Sequence, residues 1–189
     1  NKTITIGTKN GYKGDFIRII TRAPVSNTQP DAQNDEGYIN EDATLTVSNG
    51  ANANDETPDA SGEHTGDVIN TSSSDHEDTD ADGDTLIITE IRTGSSEGSG
   101  TAGTVGSSLT GTYGQLTMNQ NGSYTYIANQ DAADALDPGD TVTDSFNYTV
   151  DDQSGAANAT DKAVLEITIA GVNDPITAVN DTDAVNEDA

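Results

Sequence analysis

The chain has 189 residues and a formal net charge of −26, with 33 acidic residues against seven basic ones. Hydrophobic residues make up 31% of it and aromatic residues 4%, so the length suffices for one full domain but its core is lean. The lack of cysteine excludes a disulfide scaffold and thiolate metal sites, and no apolar run approaches a membrane span. So negative a chain repels nucleic acid and anionic membranes, and we expect cations as partners, with no nucleic acid and no membrane insertion.

The N-terminal segment is basic, unlike the rest of the chain. Its first 22 positions carry five of the seven basic residues: Lys2, Lys9, Lys13, Arg18 and Arg22. Two β-branched runs flank an Asn-Gly turn signal there, and Pro24 and Pro30 delimit a linker-like stretch. The pattern predicts that residues 1–28 form a basic β-hairpin head or the end of a preceding domain.

An internal repeat defines the domain that follows. Residues 31–43 (DAQNDEGYINEDA) return as residues 177–189 (TAVNDTDAVNEDA), with seven identities at an offset of 146 positions. This offset predicts one complete unit over residues 31–176 and the start of the next repeat at 177–189.

The unit itself reads as strands throughout. Alternating apolar and β-branched residues bounded by polar turns predict an all-β fold, an antiparallel β-sandwich of immunoglobulin or cadherin type with Greek-key connections, repeated in tandem. The predicted strands and hairpins cover residues 44–47, 85–91, 113–128 (with a turn at Asn121-Gly122), 144–150 and 163–169.

An acidic insertion is predicted at residues 50–84. It contains eleven acidic residues and no lysine or arginine. Such a segment is expected to be disordered without a ligand and to be fixed by bound cations, although residues 50–66 could stay mobile in either case.

The insertion ends in DTDADGDTL, where aspartates occupy alternate positions from Asp78 to Asp84. Calcium takes six to eight oxygen ligands, and alternating carboxylates around the sharp turn that Gly83 permits could supply several of them. The spacing is similar to half of an EF-hand loop, but no glutamate stands six residues beyond Gly83 and no helices flank the stretch. The simpler alternative is that these acids are solvated and only keep the chain soluble.

Several motifs, in chain order, resemble the VCBS repeat: NED, DTDADGDTL, YGQLTMNQNGSYTYIAN, TDSFNYTVDD and ITIAGVNDP. This cadherin-like module occurs in many copies in giant secreted bacterial adhesins. The resemblance covers about residues 37–189; residues 50–66 look like an insertion into it, and residues 1–28 do not match it. It implies a calcium-dependent extender or adhesive role at the cell surface, without catalysis.

The Asn173-Asp174-Pro175 stretch resembles the linker of cadherins, where calcium joins the end of one domain to the start of the next. The resemblance implies one cation shared by the Asp151-Asp152 turn, this linker and Glu187-Asp188, with Asp174 central to the rigidity of the junction. The full set of candidate calcium ligands is Asp35, Glu41, Asp42, Asp78, Asp80, Asp82, Asp84, Asp151, Asp152, Asn173, Asp174, Asn180, Asp181, Glu187 and Asp188.

Two functions of different classes remain open, and neither is enzymatic, because no nucleophile or phosphate-binding motif is present. The first is an extracellular spacer or adhesive segment whose partners are neighbouring repeats, with a surface or glycan receptor bound through other domains. The second is a subunit of an ordered assembly (a filament, sheath or S-layer) joined to like subunits through the basic head.

Overall fold

The computed structural model describes residues 26–48, 63–70 and 77–174. Within these ranges the chain forms β-strands joined by turns, without an α-helix. The described part thus offers no helix long and apolar enough to cross a membrane. The predicted basic head and the start of the next repeat lie almost entirely outside the described residues.

Nine strands of the described chain form two facing sheets, with strand orders β1-β9-β8-β4 and β3-β2-β7-β6-β5. The strands, in chain order, are β1 (Asp35–Asn40), β2 (Thr44–Ser48), β3 (Glu63–Thr65), β4 (Ile87–Thr93), β5 (Ser108–Thr110), β6 (Gln115–Met118), β7 (Tyr124–Ile127), β8 (Thr141–Asp151) and β9 (Thr160–Ala170). The predicted all-β sandwich of cadherin type is confirmed. Its inner pairings are antiparallel, whereas the pairings at one edge of each sheet, β1 with β9 and β2 with β3, are parallel.

The core follows from the alternation seen in the sequence. Every second residue of β9 from Ala163 to Ile169 is buried, and so are Phe146, Tyr148 and Val150 on β8. The rings of Tyr126 and Phe146 pack edge to face, with centroids 6.1 Å apart. Burial of these apolar side chains is the main source of stability for such a domain.

A β-bulge shifts the phase of β4. The register with β8 slips between Ile88 and Glu90, so the buried residues are Ile88 and Ile91, three positions apart. The β-branched run predicts a strand over residues 85–91, whereas the strand covers Ile87–Thr93.

The interval 50–84 is not a single acidic loop. It contains β3, and Val68 and Ile69 are buried in the core. Residues 49–62 and 71–76 lie outside the described residues. Part of the predicted insertion therefore belongs to the sandwich.

The β8–β9 hairpin sets the distance between the two ends of the sandwich. Each strand has 11 residues, and Asp151 pairs with Thr160 at one end while Thr141 pairs with Ala170 at the other. At ~3.3 Å per residue the ends lie roughly 30 Å apart. We call the end formed by residues 26–34, 77–84 and 151–161 the N-terminal pole, and the end formed by residues 41–43, 128–140 and 171–174 the C-terminal pole.

Candidate metal centres at the two poles

The acidic loop at the N-terminal pole folds around Asp80. The Oδ1 atom of Asp80 accepts hydrogen bonds from the backbone N–H groups of Asp82 (2.8 Å) and Asp84 (3.2 Å). The N–H of Gly83 donates to the carbonyl oxygen of Asp80 (3.1 Å), and Gly83 has a φ of 77°, a conformation that glycine adopts without strain. The predicted sharp turn at Gly83 is confirmed.

Three carboxylates converge in this loop. Asp80, Asp82 and Asp84 each offer one oxygen, and these oxygens all lie within 4.8 Å of one another. The Oδ2 atom of Asp80 is buried and has no hydrogen-bond partner among the described residues. Desolvation and the charges of Asp80, Asp152 and Asp82 raise the pKa of Asp84. An oxygen-only donor set with mutual repulsion and an unsatisfied oxygen fits a hard divalent cation such as calcium.

The turn after β8 adds two carboxylates at the same pole. Asp152 is buried, and its Oδ1 atom accepts from the N–H of Ser154 (2.7 Å). Its Oδ2 atom accepts from the side-chain amide of Asn27 (2.7 Å). Burial opposes ionisation, but hydrogen bonds from the Ser154 side chain, from Asn27 and from the Ser154 N–H outweigh it and lower the pKa of Asp152. Asp151 accepts from the N–H of Gln153 (2.6 Å). Asp152 is thus held as an anion beside the acidic loop.

Two of the predicted ligands lie in the interior instead. Asp35 and Asp78 are both buried, and the Tyr148 hydroxyl lies 2.7 Å from Asp35 Oδ2 and 3.3 Å from Asp78 Oδ2. The Oδ1 atom of Asp78 also accepts from the N–H of Gln33 (2.7 Å). Burial raises the pKa of Asp78 to about 8, against hydrogen bonds that lower it. The structure therefore separates Asp78, a structural acid, from the three aspartates that follow it.

The C-terminal pole contains a buried glutamate. Glu41 is only 2% exposed, and its Oε1 atom accepts from the N–H of Val172 (2.6 Å). Its Oε2 atom is buried and has no hydrogen-bond partner among the described residues. The neighbouring Asp42 is exposed with a φ of 61°, and Asn173 and Asp174 follow Val172 as exposed residues. Glu41 therefore presents one bare carboxylate oxygen at the point where the chain leaves the domain.

The poles separate residues that were expected to share one cation. Asp151 and Asp152 lie at the N-terminal pole, whereas Asn173 and Asp174 lie at the C-terminal pole, roughly 30 Å away along the β8–β9 hairpin. Their predicted sharing of a single cation is wrong within one domain, because the two strands run antiparallel. The other candidates, Asn180, Asp181, Glu187 and Asp188, lie outside the described residues.

Two groups of polar residues escaped the sequence analysis. Asn27 and Thr28 contact Asp152 and Asp82, and the 146-residue repeat offset, which places Asn27 opposite Asn173, could have revealed them. Asp144 is buried on β8, where its carboxylate accepts from the N–H groups of Thr112 and Tyr113 and from the hydroxyl of Tyr126. A single acid inside a strand gives no sequence signal that distinguishes it from a surface residue.

Comparison with protein-family models identifies the module. A model described as bacterial cadherin-like domain matches residues 59–171, more than half of the chain. The chain belongs to this family. No curated protein matches the sequence. The matched span contains the acidic loop and β3 to β9, whereas β1, β2 and Glu41 precede it.

Family membership gives the coarse function. Bacterial cadherin-like domains are structural or adhesion modules that occur in extracellular proteins, they are not typically enzymes, and cadherin-like domains generally bind calcium. The cadherin-like character expected from the sequence motifs is therefore confirmed.

Proposed function

We propose that this chain is a calcium-stabilised unit of the spacer or adhesive segment of a large bacterial surface protein. The observation that carries the proposal is the convergence of Asp80, Asp82 and Asp84 at the pole where the chain arrives from the preceding segment. The buried, half-satisfied Glu41 at the opposite pole supports it. Candidate ligands thus flank the points at which the chain enters and leaves the sandwich.

Calcium suits the N-terminal pole chemically. Three carboxylates within 4.8 Å, with Asp152 nearby, supply part of the six to eight oxygens that calcium takes, and backbone carbonyls or water would supply the rest. The chain's own residues prepare this site, since Asp80 is fixed by two backbone N–H groups while its second oxygen stays bare. A bound cation would relieve the repulsion among these acids.

The repeat offset indicates how consecutive units join. Position 27 corresponds to position 173, so the linker after β9 would reach the N-terminal pole of the next unit as Asn27 reaches this one. A junction would then combine Glu41, Asn173 and Asp174 of one unit with the acidic loop of the next. Glu187 corresponds to Glu41 and would belong to the far pole of that next unit. A cation shared across such a junction would restrict bending, which is the property a spacer needs.

Calorimetric titration of the chain with CaCl2 tests the proposal. We expect binding with a Kd of about 10⁻⁴–10⁻³ M, the range of extracellular calcium modules. The double variant Asp80→Asn/Asp84→Asn should lose this binding, because two convergent carboxylates become amides. The control Asp131→Asn/Asp134→Asn removes the same charge at the C-terminal pole and should bind as the unaltered chain does. Equal losses in both double variants would show only nonspecific charge screening, and a chain that binds no calcium contradicts the proposal.

Charge asymmetry favours a second candidate, an assembly subunit. The first 22 residues carry five bases and one acid (+4), whereas the remaining residues carry two bases and 32 acids (−30). Opposite charges of this size favour docking of the head of one copy on the body of another. Sedimentation velocity at low salt should then show oligomers, and deletion of residues 1–22 should abolish them. A full chain that stays monomeric would contradict the assembly candidate, and the spacer would be the remaining proposal.

A further inference from the structure

The segment just before β1 lies across the N-terminal pole, and we call residues 27–33 the strap. Two of its donors reach carboxylates of the candidate cation site. The side-chain amide of Asn27 donates to Asp152 Oδ2 (2.7 Å), and the backbone N–H of Thr28 donates to Asp82 Oδ2 (2.7 Å). Both distances are those of strong, charge-assisted hydrogen bonds.

The rest of the strap is held in the same way. The N–H of Ala32 donates to Asp161 Oδ2 (3.0 Å), and the N–H of Gln33 donates to Asp78 Oδ1 (2.7 Å). Four aspartates therefore accept hydrogen bonds from the strap: Asp78 and Asp82 of the acidic loop, and Asp152 and Asp161 beside the β8–β9 turn. Hydrogen bonds to carboxylates of the N-terminal pole, and not apolar packing alone, therefore hold the strap in place.

These bonds leave room for a cation. A carboxylate has about four lone-pair positions, so a bond from Thr28 to Asp82 Oδ2 leaves Oδ1 and further lone pairs available. The Asp152 carboxylate, which accepts hydrogen bonds from Asn27 and Ser154, likewise retains lone-pair positions for a cation. Hydrogen bonds from neighbouring groups fix the orientation of metal-binding side chains and so raise metal affinity.

We infer that the strap positions the Asp82 and Asp152 carboxylates for the cation, so that cation binding and seating of the strap strengthen each other. This inference rests on the calcium site proposed above. It makes Asn27 and Thr28 positioning residues, and it means that a cation at the acidic loop fixes the direction in which the preceding segment arrives. By linkage, the factor by which the strap raises calcium affinity is also the factor by which calcium favours the seated strap.

Calcium titration of the full chain and two strap variants tests this coupling. Asn27→Ala removes the donor to Asp152, and Thr28→Pro removes the N–H that binds Asp82. Each should weaken calcium binding about tenfold, as loss of a partner that orients a ligand does elsewhere. Ser26→Ala, at an exposed neighbouring position, is the control and should bind as the unaltered chain does.

Amide hydrogen exchange measured by NMR supplies a readout of the strap itself. Exchange of the Thr28 N–H should slow when calcium is added, because the cation stabilises the seated strap. Unchanged or tighter calcium binding in both variants, or a Thr28 amide that exchanges faster with calcium, overturns this inference while leaving the calcium site standing. An unaltered chain that binds no calcium overturns both.

Discussion

The two poles of the sandwich handle buried acids in the same two ways. Each pole has a buried acid whose oxygens are satisfied by the protein and that lies outside the candidate cation site: Asp78 at the N-terminal pole and Asp144 near the C-terminal pole. Each pole also has acids that the protein leaves incompletely satisfied: Asp80 in the acidic loop and Glu41 beside Val172. The difference separates Asp78 and Asp144, which stabilise the fold, from Asp80 and Glu41, each of which keeps an oxygen available to a cation.

Burial alone does not distinguish the two kinds of acid. Asp144 and Glu41 are 3% and 2% exposed, yet the Asp144 carboxylate accepts three hydrogen bonds while one Glu41 oxygen accepts none among the described residues. A buried charged oxygen without a partner is costly, so its persistence points to a ligand.

The largest effect is expected from the pH dependence of Asp78. Its pKa is about 8 in the folded protein, well above the 3.8 usual for an aspartate, because burial disfavours the anion. The folded state therefore holds a proton that the unfolded state has released, and stability falls as pH rises from about 4 to 8. The loss is at most about 1.4 kcal/mol for each pH unit. Urea denaturation from pH 5 to 8 with chelator present should show this fall.

Asp78→Asn should flatten that profile, because the amide does not ionise. Asp131→Asn, which removes an exposed charge, serves as the control and should keep the slope. A variant at position 78 whose stability falls as steeply as that of the unaltered chain would show that other acids cause the dependence.

A smaller loss is expected from Asp144→Ala. The change leaves the N–H groups of Thr112 and Tyr113 and the hydroxyl of Tyr126 without their acceptor. Unsatisfied buried donors cost about 1–3 kcal/mol each, and partial access to water at the loop should limit the total to about 3 kcal/mol. Chemical denaturation should give the same loss with calcium and with chelator, because Asp144 is satisfied by the protein.

Asp134→Ala is the matched control for Asp144→Ala, since it removes an exposed acid from the same pole. An effect of Asp144→Ala that depends on calcium would show that Asp144 is linked to cation binding, and it would contradict the distinction between Asp144 and Glu41.

Removal of calcium should cost less than loss of Asp144. A ligand that binds only the folded state stabilises it by about 1.4 kcal/mol at tenfold excess over Kd and about 2.7 kcal/mol at hundredfold excess. Thermal melting in 10 mM CaCl2 and in chelator should differ accordingly, with NaCl of equal ionic strength as the control for screening. A Tm that NaCl raises as much as CaCl2 does would assign the effect to general charge screening.

Much of the fold could be predicted from the sequence because apolar and polar residues alternate along the core strands. The β6–β7 hairpin and the inward faces of β8 and β9 follow directly from residues such as Leu116, Tyr126 and Phe146. The strands that escaped prediction are short or interrupted by polar residues: β3 and β5 have three residues each, and β1 contains Glu36 and Gly37. Their strand state depends on pairing with neighbours, which local pattern does not encode.

The candidate site was only partly predictable for the same physical reason. A run of alternating aspartates indicates a cation loop, but it does not show that Asp78 turns inward to Tyr148 while Asp80, Asp82 and Asp84 stay together. The sequence also does not show that the two poles are separate. Asp152 and Asp174 are only 22 positions apart in the chain, but they lie at opposite ends of a long hairpin. The sequence therefore shows which residues can bind a cation, whereas the direction of the strands decides which of these residues lie together.

The smallest and sharpest effect is expected from Glu41→Gln, because its sign should depend on calcium. Glutamine has nearly the same shape, and its carbonyl can still accept the N–H of Val172. In chelator the variant loses a buried negative charge with one bare oxygen from a chain of net charge −26, so stability should rise by about 1 kcal/mol. In 10 mM CaCl2 it loses a charged ligand, so the stabilisation by calcium should shrink by an amount of similar size.

Urea midpoints measured under both conditions would reveal this reversal. Glu166→Gln, which changes an exposed glutamate on β9, controls for the change in net charge. Equal destabilisation of Glu41→Gln with and without calcium would instead make Glu41 a structural acid like Asp144, and the C-terminal pole would lose its part in the proposed junction.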